Sequence, residues 1–439
     1  MRPRNQPARD RLQAVLRRLG PASAPALAAE LGVSRATLHR MLVEAGTGQI
    51  VSAGQAQRSR HAMRRPLRGG AGDIPLRRVD AAGRVHDESM LALKQPSGSR
   101  LVLSAGRWPL PDSARDGWWD GLPYPLYDMA PQGWLGRQFA RARHLDLGVA
   151  DDPRRWSDDD VVHVLASDGV DGTGDLILGD VALERWMRRQ DGAPDPLPVR
   201  GIGRAYVRLA DQAIADGVPG SSAAGEFPKF TALRERPGMA TPHVIVKFSG
   251  AGGSAAERRW AALLRCEHLA LQAAASIPGI TAPASHIVES GGRTFLEVER
   301  FDRIGLHGRL PLVSLAALEP ALLGLASPDW RGAADALERL GWLSHEDAQA
   351  VHRLWWFGRL INNTDMHPGN LSFIPGRPLK LAPVYDMLPM RWAPMRGGEV
   401  PDWQVVAPEF LLGAGDVPGS VIAAAKSFWS LAAGMLRAH

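Results

Sequence analysis

Residues 360–374 read LINNTDMHPGNLSFI, and no other stretch restricts the fold of this chain as tightly. An apolar entry and an apolar exit bracket Asn362, Asn363, Asp365, His367 and Asn370, so a short polar turn has to be carried between two buried segments. Asn and Asp often occupy such turns merely to satisfy neighbouring backbone groups. The alternative is that a carboxylate, an imidazole and an amide are held on one rigid loop to act together. Which reading holds depends on what the rest of the chain supplies.

The 439 residues are enough for two or three domains, and a hydrophobic share of 45% is ample for packed cores. Cys266 is the only cysteine, so neither an intramolecular disulfide nor a structural zinc site can form, which fits a reducing setting. No apolar run approaches the roughly 20 residues that span a bilayer, and arginines interrupt the N-terminal apolar positions too often for a secretory signal. The expectation is a cytoplasmic chain with no membrane partner. The net charge of +6 is unevenly placed: residues 1–70 hold 13 Arg against Asp10, Glu30 and Glu44, a local +10 that leaves −4 for the remainder. A basic block on a near-neutral body suits a polyanion partner.

Within that block Leu12, Val15, Leu16 and Leu19 fall on one helical face, SAPALAAELG gives a second short helix and SRATLHRMLVEAG a third. Gly32 suits the turn between the last two, and Ser34 can cap the third helix through its side-chain oxygen. Ala28 at the crossing, with Val33, Leu38 and Leu42 facing inward, completes a helix-turn-helix pattern. QIVSAGQAQRSRHAMRR then reads as two short strands about a turn at Gly54, the pattern of a wing. The spacing predicts a winged helix-turn-helix DNA-binding domain over residues 1–70. It would present Ser34, Arg35, His39 and Arg40 to a major groove, and Arg58, Arg60 and the Arg64, Arg65 pair to phosphates. A winged helix used for protein contacts is the competing reading, and the local charge favours DNA.

RGGAGD at 68–73 marks a flexible joint. Beyond it PLRRVDAAGRVHDESMLALK and SRLVLSAGRW alternate as strands do, the stretch from Trp118 onward turns helical, and SDDDVVHVLASDG reads as a helix opening at Ser157 and Asp158. Trp118, Trp119, Tyr124, Tyr127 and Trp134 suit packing better than a ligand box. Nothing catalytic stands out there.

Chemistry-bearing residues resume in VPGSSAAGEFPKFTAL, residues 218–233, whose small side chains let backbone N–H groups close round phosphate oxygens. A strand, HVIVKFS, follows. Lys229 and Lys247 belong to these segments in a chain with only five lysines, and a compact ammonium serves phosphates where arginine offers a planar fork. AERRWAALLRCEHLALQAAAS is a helix whose Glu267 or Glu257 is placed to pair with Lys247. FLEVERFDR is a strand ending in Glu299-Arg300-Phe301-Asp302-Arg303, and the C-terminal half is helical.

Asp365 and Asn370 stand five apart, and LKLAPVYDMLP supplies a later strand ending in Tyr385-Asp386. Phosphoryl transfer needs one carboxylate near the attacking hydroxyl and two oxygen ligands for magnesium on a rigid loop, which D-x-x-x-x-N followed by a second Asp provides. Asp365 would orient or deprotonate the hydroxyl, and Asn370 with Asp386 would hold the metal. His367 would brace the loop or approach the phosphates.

With those residues together, the chain from about 75 to 430 resembles the HipA family of bacterial serine/threonine kinases, toxins of type II toxin–antitoxin systems. SAAGEFPK is similar to that family's Ser-x-Gly-Gly-x-x-Pro-Lys loop, VERFDR to its hinge, and INNTDMHPGNLSF and PVYDMLP to its catalytic and metal loops. The fused helix-turn-helix resembles the YjjJ branch. The resemblance implies an α+β fold: a β-rich subdomain and kinase N-lobe over 71–300, then a helical C-lobe over 301–439. It implies ATP and Mg2+ as cofactors, with Ser222, Ala223, Ala224, Gly225 and Lys229 in the phosphate loop and Lys247 as the ATP lysine. Glu299 and Phe301 would contact adenine, His367, Asn370 and Asp386 the phosphates and metal, and Asp365 would be catalytic. Ser222 falls at the autophosphorylated serine, with Ser221 as its alternative; Ala224 replaces a family glycine and Glu226 adds a negative charge nearby. Operator DNA, a separate antitoxin and an aminoacyl-tRNA synthetase substrate are the partners implied.

Two other readings stay open. DMHPGN is also similar to the catalytic loop of aminoglycoside and choline kinases, which phosphorylate small molecules. The other is a non-enzymatic transcription regulator whose kinase-like body senses nucleotide.

Overall fold

Periodic leucines build the N-terminal unit. Leu12 and Leu16 are fully buried on α1 (Gln6–Leu19), which is followed by β1 (Ala22–Ser23), α2 (Ala24–Leu31) and α3 (Arg35–Ala45). Ser23 and Ser34 cap α2 and α3 through their side-chain oxygens, and Gly32 ends α2 at φ 64°, where a side chain would be strained. β2 (Ile50–Ala53) and β3 (Arg60–Met63) pair antiparallel, with β3 between β1 and β2. Ala28 and Leu38 lie in the unit's core with Val33 and Leu42 packed against it, while Ser34, Arg35, His39, Arg40 and Arg60 are exposed. The computed structural model describes residues 6–54, 59–70, 72–192, 194–215, 227–326, 329–395, 397–402 and 417–437, so Arg58 lies outside the described residues.

Arg64 and Arg65 do not face outward as the charge pattern suggests. Arg64 pairs with Asp73 and donates to the Thr47 carbonyl, Arg65 pairs with Asp159 and donates to the Lys94 carbonyl, and Arg68 reaches Asp160 at 2.8 Å and the Gly148 carbonyl at 3.0 Å. The cause is positional. The chain leaves β3 beside an acidic helix start, Asp158 to Asp160, and the guanidiniums of Arg65 and Arg68 clamp the N-terminal unit to it.

The middle unit is a sheet of β4 (Ile74–Val79), β5 (Val85–Leu93), β6 (Ser99–Arg100), β7 (Trp118–Trp119) and β8 (Leu176–Leu178), in the order β7-β6-β5-β4-β8. Its helices are α4 (Tyr124–Met129), α5 (Gly133–Leu147), α6 (Asp158–Asp168) and α7 (Asp180–Asp191). Ser157 and Asp160 form a reciprocal capping box at the start of α6. The strand reading of SRLVLSAGRW survives only at β6, and the helical stretch starts at Tyr124, because Trp118 and Trp119 pair with β6. Trp118, Trp119 and Tyr124 are buried, with Tyr124 edge-on to Trp108 and Trp119; Tyr127 is exposed and donates its hydroxyl to Asp158.

Next come α8 (Ile202–Ala215), β9 (Lys229–Leu233), β10 (His243–Phe248), α9 (Ala255–Ala274), β11 (Ser285–Ser290) and β12 (Arg293–Glu299), whose strands form an antiparallel sheet ordered β11-β12-β10-β9 between the two helices. A hairpin of β13 (Arg303–Ile304) and β14 (Gly308–Arg309) leads to the helical lobe: β15 (Val313–Ser314), α10 (Leu315–Leu322), α11 (Trp330–Arg339), α12 (His345–Leu360), β16 (Ser372–Ile374), β17 (Lys380–Leu381) and α13 (Gly419–Arg437). Against the expectation from sequence, α13, at mean hydropathy 1.2, is by length and composition apolar enough to cross a membrane. Here it packs on α9 and α12 through one face, with Val421, Phe428 and Leu436 buried.

The middle unit and the lobes share one core. Leu76, Leu93, Val162 and Leu178 belong to the same apolar cluster as Leu263, Leu296, Leu354 and Phe373. Two polar ties reinforce it. The carboxylate of Asp128 on α4 accepts the Ser314 N–H at 2.8 Å and the Ser314 hydroxyl, and burial holds its pKa above the usual range. Asp171 takes Arg300 at 2.8 Å and Arg303 at 3.0 Å, and Asp302 takes the same two at 3.0 and 2.6 Å.

Candidate active site

Strand alternation decides where Lys247 points. Val244, Val246 and Phe248 of β10 fill the core beneath α8, so Lys247 projects from the other face, toward α9. There its Nζ donates to Glu267 Oε1 at 2.6 Å, both groups being buried. Glu257, the competing partner, is occupied: its carboxylate accepts the N–H groups of Ser254 at 2.9 Å and Gly252 at 3.0 Å in a capping box on α9. The same Lys247 ammonium donates to Asp386 Oδ1, and Lys229 stands directly opposite Lys247 across the β9–β10 pair. The Phe227 ring lies 5.9 Å from the ammonium.

Burial alone would pull the Lys247 ammonium down, but the carboxylates of Asp386 and Glu267 outweigh it and hold it above its ordinary value. Asp386 is also opposed by burial, yet Lys247 and then Lys229 lower it to about 2, so it stays ionised. Glu267 moves the other way. Burial raises it despite Lys247, and its Oε2 is buried without a hydrogen-bond partner, as expected when two carboxylates share one cation. Asp386 adopts φ 52°, a left-handed conformation uncommon outside glycine that Asp tolerates better than most.

The loop after α12 reaches the same place. Asn363 is buried; its Oδ1 accepts the Asp365 N–H at 3.0 Å and its Nδ2 donates to the Asp386 carbonyl at 3.4 Å, so one amide spaces the two acidic loops. Asn370 Nδ2 donates to the Asp365 carbonyl at 2.8 Å, closing the turn across the five-residue separation. Tyr385 donates its hydroxyl to the Gly369 carbonyl at 2.7 Å and accepts from Ser372 at 2.7 Å, tying the two loops a second time. His367 braces rather than reaches out: its Nδ1 accepts the Gly369 N–H at 3.0 Å. Asp365 and His367, with Asp329, Trp355 and Arg359, line a cavity of about 430 Å³.

The hinge residues differ in placement. Glu299 Oε1 accepts the Ala240 and Thr241 N–H groups at 2.9 and 3.2 Å, so its carboxylate is engaged with backbone, while Phe301 packs 5.9 Å from the Tyr385 ring. Ser221, Ser222, Ala223, Ala224, Gly225 and Glu226 lie outside the described residues. Sequence reasoning gave Asn363 and Tyr385 no role. The signal for the first was the Asn-x-Asp spacing, which lets an Asn oxygen take the N–H two residues on. Among the described residues no three His, Cys, Asp or Glu side chains form a self-contained metal cage. Cys266 is buried and its thiol pushed up to about 12 by burial, which leaves it inert.

Residues 71–187 match the family model described as YjjJ-like toxin, middle domain, and residues 221–409 match the HipA-like C-terminal domain. Toxin YjjJ of Escherichia coli (strain K12) is 39% identical over 386 residues, covering 87% of this chain and 84% of the relative. Among solved structures, the Shewanella oneidensis MR-1 toxin–antitoxin complex of HipA, HipB and operator DNA aligns over 73% of this chain and 76% of that one, at 16% identity and a TM-score of 0.44. The Helicobacter pylori proinflammatory kinase CtkA aligns over 39% and 55%, at 15% identity and a TM-score of 0.28. An identity of 39% sustained over 386 residues makes this chain a member of the HipA/YjjJ toxin family, with that family's two-lobed, kinase-like architecture.

Proposed function

We propose that the chain is an ATP-dependent serine/threonine protein kinase acting as a toxin, with an N-terminal winged helix-turn-helix domain that binds operator DNA. The observation that carries the kinase reading is the double engagement of Lys247, bound to Glu267 on α9 and to Asp386 beyond β17. Phosphates entering between the lobes would meet an ammonium already positioned by both. Lys229, opposite Lys247, adds a second cation to the same face.

The residues present fit magnesium. Asp386 is kept ionised, its side chain is about 30% exposed, and Asn370 has its Nδ2 committed to the Asp365 carbonyl, so its Oδ1 is the atom it can offer. Carboxylate and amide oxygens are the hard donors this ion takes, and phosphate and water oxygens commonly complete its shell. When bound, the ion would neutralise charge building on the transferred phosphoryl group. Asp365 accepts the proton of a substrate Ser or Thr hydroxyl as that oxygen bonds to the γ-phosphorus and ADP departs. Asn363 and Asn370 hold the Asp365 backbone from both sides, so the carboxylate needs no reorganisation at the moment of transfer.

For the N-terminal unit, the exposure of Arg35, His39 and Arg40 on α3 and of Arg60 on β3 supports the reading of α3 as a recognition helix and of the following hairpin as a wing. Incubating the purified chain and a cell lysate with labelled ATP and Mg2+ tests the kinase reading. Label should appear on protein Ser or Thr and vanish in Asp365→Asn at unchanged melting temperature. Label confined to a small metabolite, or retained by Asp365→Asn, would overturn it.

A further inference from the structure

Arg143 of α5 and Arg185 and Arg189 of α7 converge on Asp168, the last residue of α6, and with Arg188 of α7 these side chains line an open crevice of about 390 Å³. Asp168 is nearly buried at the floor, with Arg143 at 3.2 Å, Arg185 at 3.4 Å and Arg189 at 3.9 Å. One carboxylate thus serves three guanidiniums, none of which is buried. Two further acids stand near: Glu184, 3.1 Å from Arg188, and Asp146, 3.6 Å from Arg143. Both are largely exposed, and ion pairs so exposed contribute little, so an incoming anion displaces them easily. Guanidinium forks held around a recess are the geometry that takes phosphate oxygens two at a time.

Location decides whose phosphates these are. The clamp joining the N-terminal unit to the middle unit uses Asp159 and Asp160 at the start of α6 and the Gly148 carbonyl at the end of α5. The crevice takes Arg143 from α5 and Asp168 from α6, and its other three arginines from α7, which packs against α6. Asp168 is eight residues along α6 from Asp160, about 12 Å at 1.5 Å per residue. One turn of duplex DNA is about 34 Å long, so the crevice sits within a turn of the clamp that holds α3 and the wing.

We propose that this arginine crevice grips a backbone phosphate of the duplex bound by the N-terminal unit, extending the DNA footprint onto the middle unit. The inference rests on the DNA-binding reading above. It is tested with the full chain and a fluorescent duplex of roughly 30 base pairs, about three turns, by anisotropy between about 50 and 200 mM salt. Arg185→Glu with Arg189→Glu should weaken binding by about tenfold or more and flatten the salt slope by about 1 to 2. Arg185→Gln with Arg189→Gln should shift both in the same direction by less. Labelled-ATP incorporation, unchanged in both, confirms that the variants are folded. Affinity and slope equal to the parent in both variants would overturn the crevice contact. Failure of the parent to bind any duplex would instead overturn the DNA-binding reading beneath it. Loss of binding in Arg35→Glu with Arg40→Glu, beside normal crevice variants, would sink the crevice alone.

Discussion

Lys247→Met isolates the central ion cluster. The substitution keeps the side-chain length but leaves Glu267 and Asp386 together without the ammonium they share. Removing one partner of a buried pair costs about 3–5 kcal/mol, because the remaining charge has lost its compensation. The body that shares the core, from Leu76 to Leu436, exceeds the 150–250 residues for which each kcal/mol is worth about 2–4 °C, so a drop of roughly 5 °C is expected near pH 7. The pH dependence carries the sharper signature. Burial already raises Glu267 in the parent against Lys247, and in the variant that opposition is gone. A carboxyl whose native pKa exceeds its unfolded one binds a proton preferentially when folded. Its penalty therefore grows as pH rises above the unfolded value and shrinks as pH falls back toward it. Between pH 7 and 5 the variant should regain up to about 1.4 kcal/mol per pH unit relative to the parent. Asp386 behaves oppositely in the parent: held at about 2, it contributes stability present above the ordinary carboxylate range and lost as pH falls toward 2. Adding Glu267→Gln to Lys247→Met should restore at least half of the lost melting temperature at pH 7. Scanning calorimetry at both pH values reads all of this. A variant melting within about 2 °C of the parent at pH 7, or no recovery with Glu267→Gln, would refute the shared-cation account.

Asn363→Ala should lower the rate of phosphoryl transfer by about a hundredfold with nucleotide affinity changed much less, since it loosens Asp365 rather than removing it; steady-state kinetics separate the two. Asp302→Asn removes the buried charge shared by Arg300 and Arg303, costing about 3 kcal/mol at pH 7 in chemical denaturation. Because those arginines hold Asp302 well below the usual carboxylate range against the effect of burial, that contribution is lost only as pH falls below the unfolded carboxylate value, and the variant should lack that acid-side loss. Arg65→Ala with Arg68→Ala should speed hydrogen exchange across residues 64–73 and leave the melting of the kinase-like lobes in place.

The lysine strand, the Asp-Asn loop and Asp386 were legible in the sequence because each is a reactive group at a set spacing between apolar runs that fix its direction. The partner of Lys247 stayed open between two glutamates of one helix, although the Ser254-x-x-Glu257 capping signature already marked Glu257 as occupied. Asn363 and Tyr385 were given no role because their work is done on backbone atoms of other loops, which no pattern of residue types displays. The arginines after the wing were misdirected for a related reason. A guanidinium suited to a phosphate is equally suited to a carboxylate, and the carboxylates of Asp159 and Asp160 come more than ninety residues later. Strands β6 and β7, two residues each, are too short for alternation to register.

The unbroken apolar cluster joining Leu76 to Leu436 makes the middle unit a permanent plinth for the two kinase-like lobes. A shortened chain beginning after that unit would present a raw, sticky flank to water and would clump. It would also part Ser314 from Asp128, and Ser314 sits opposite Ser372 on the strand that leaves the Asp365 loop. Anything that levers α4 away from β15 therefore slackens the Asp365 loop without touching it.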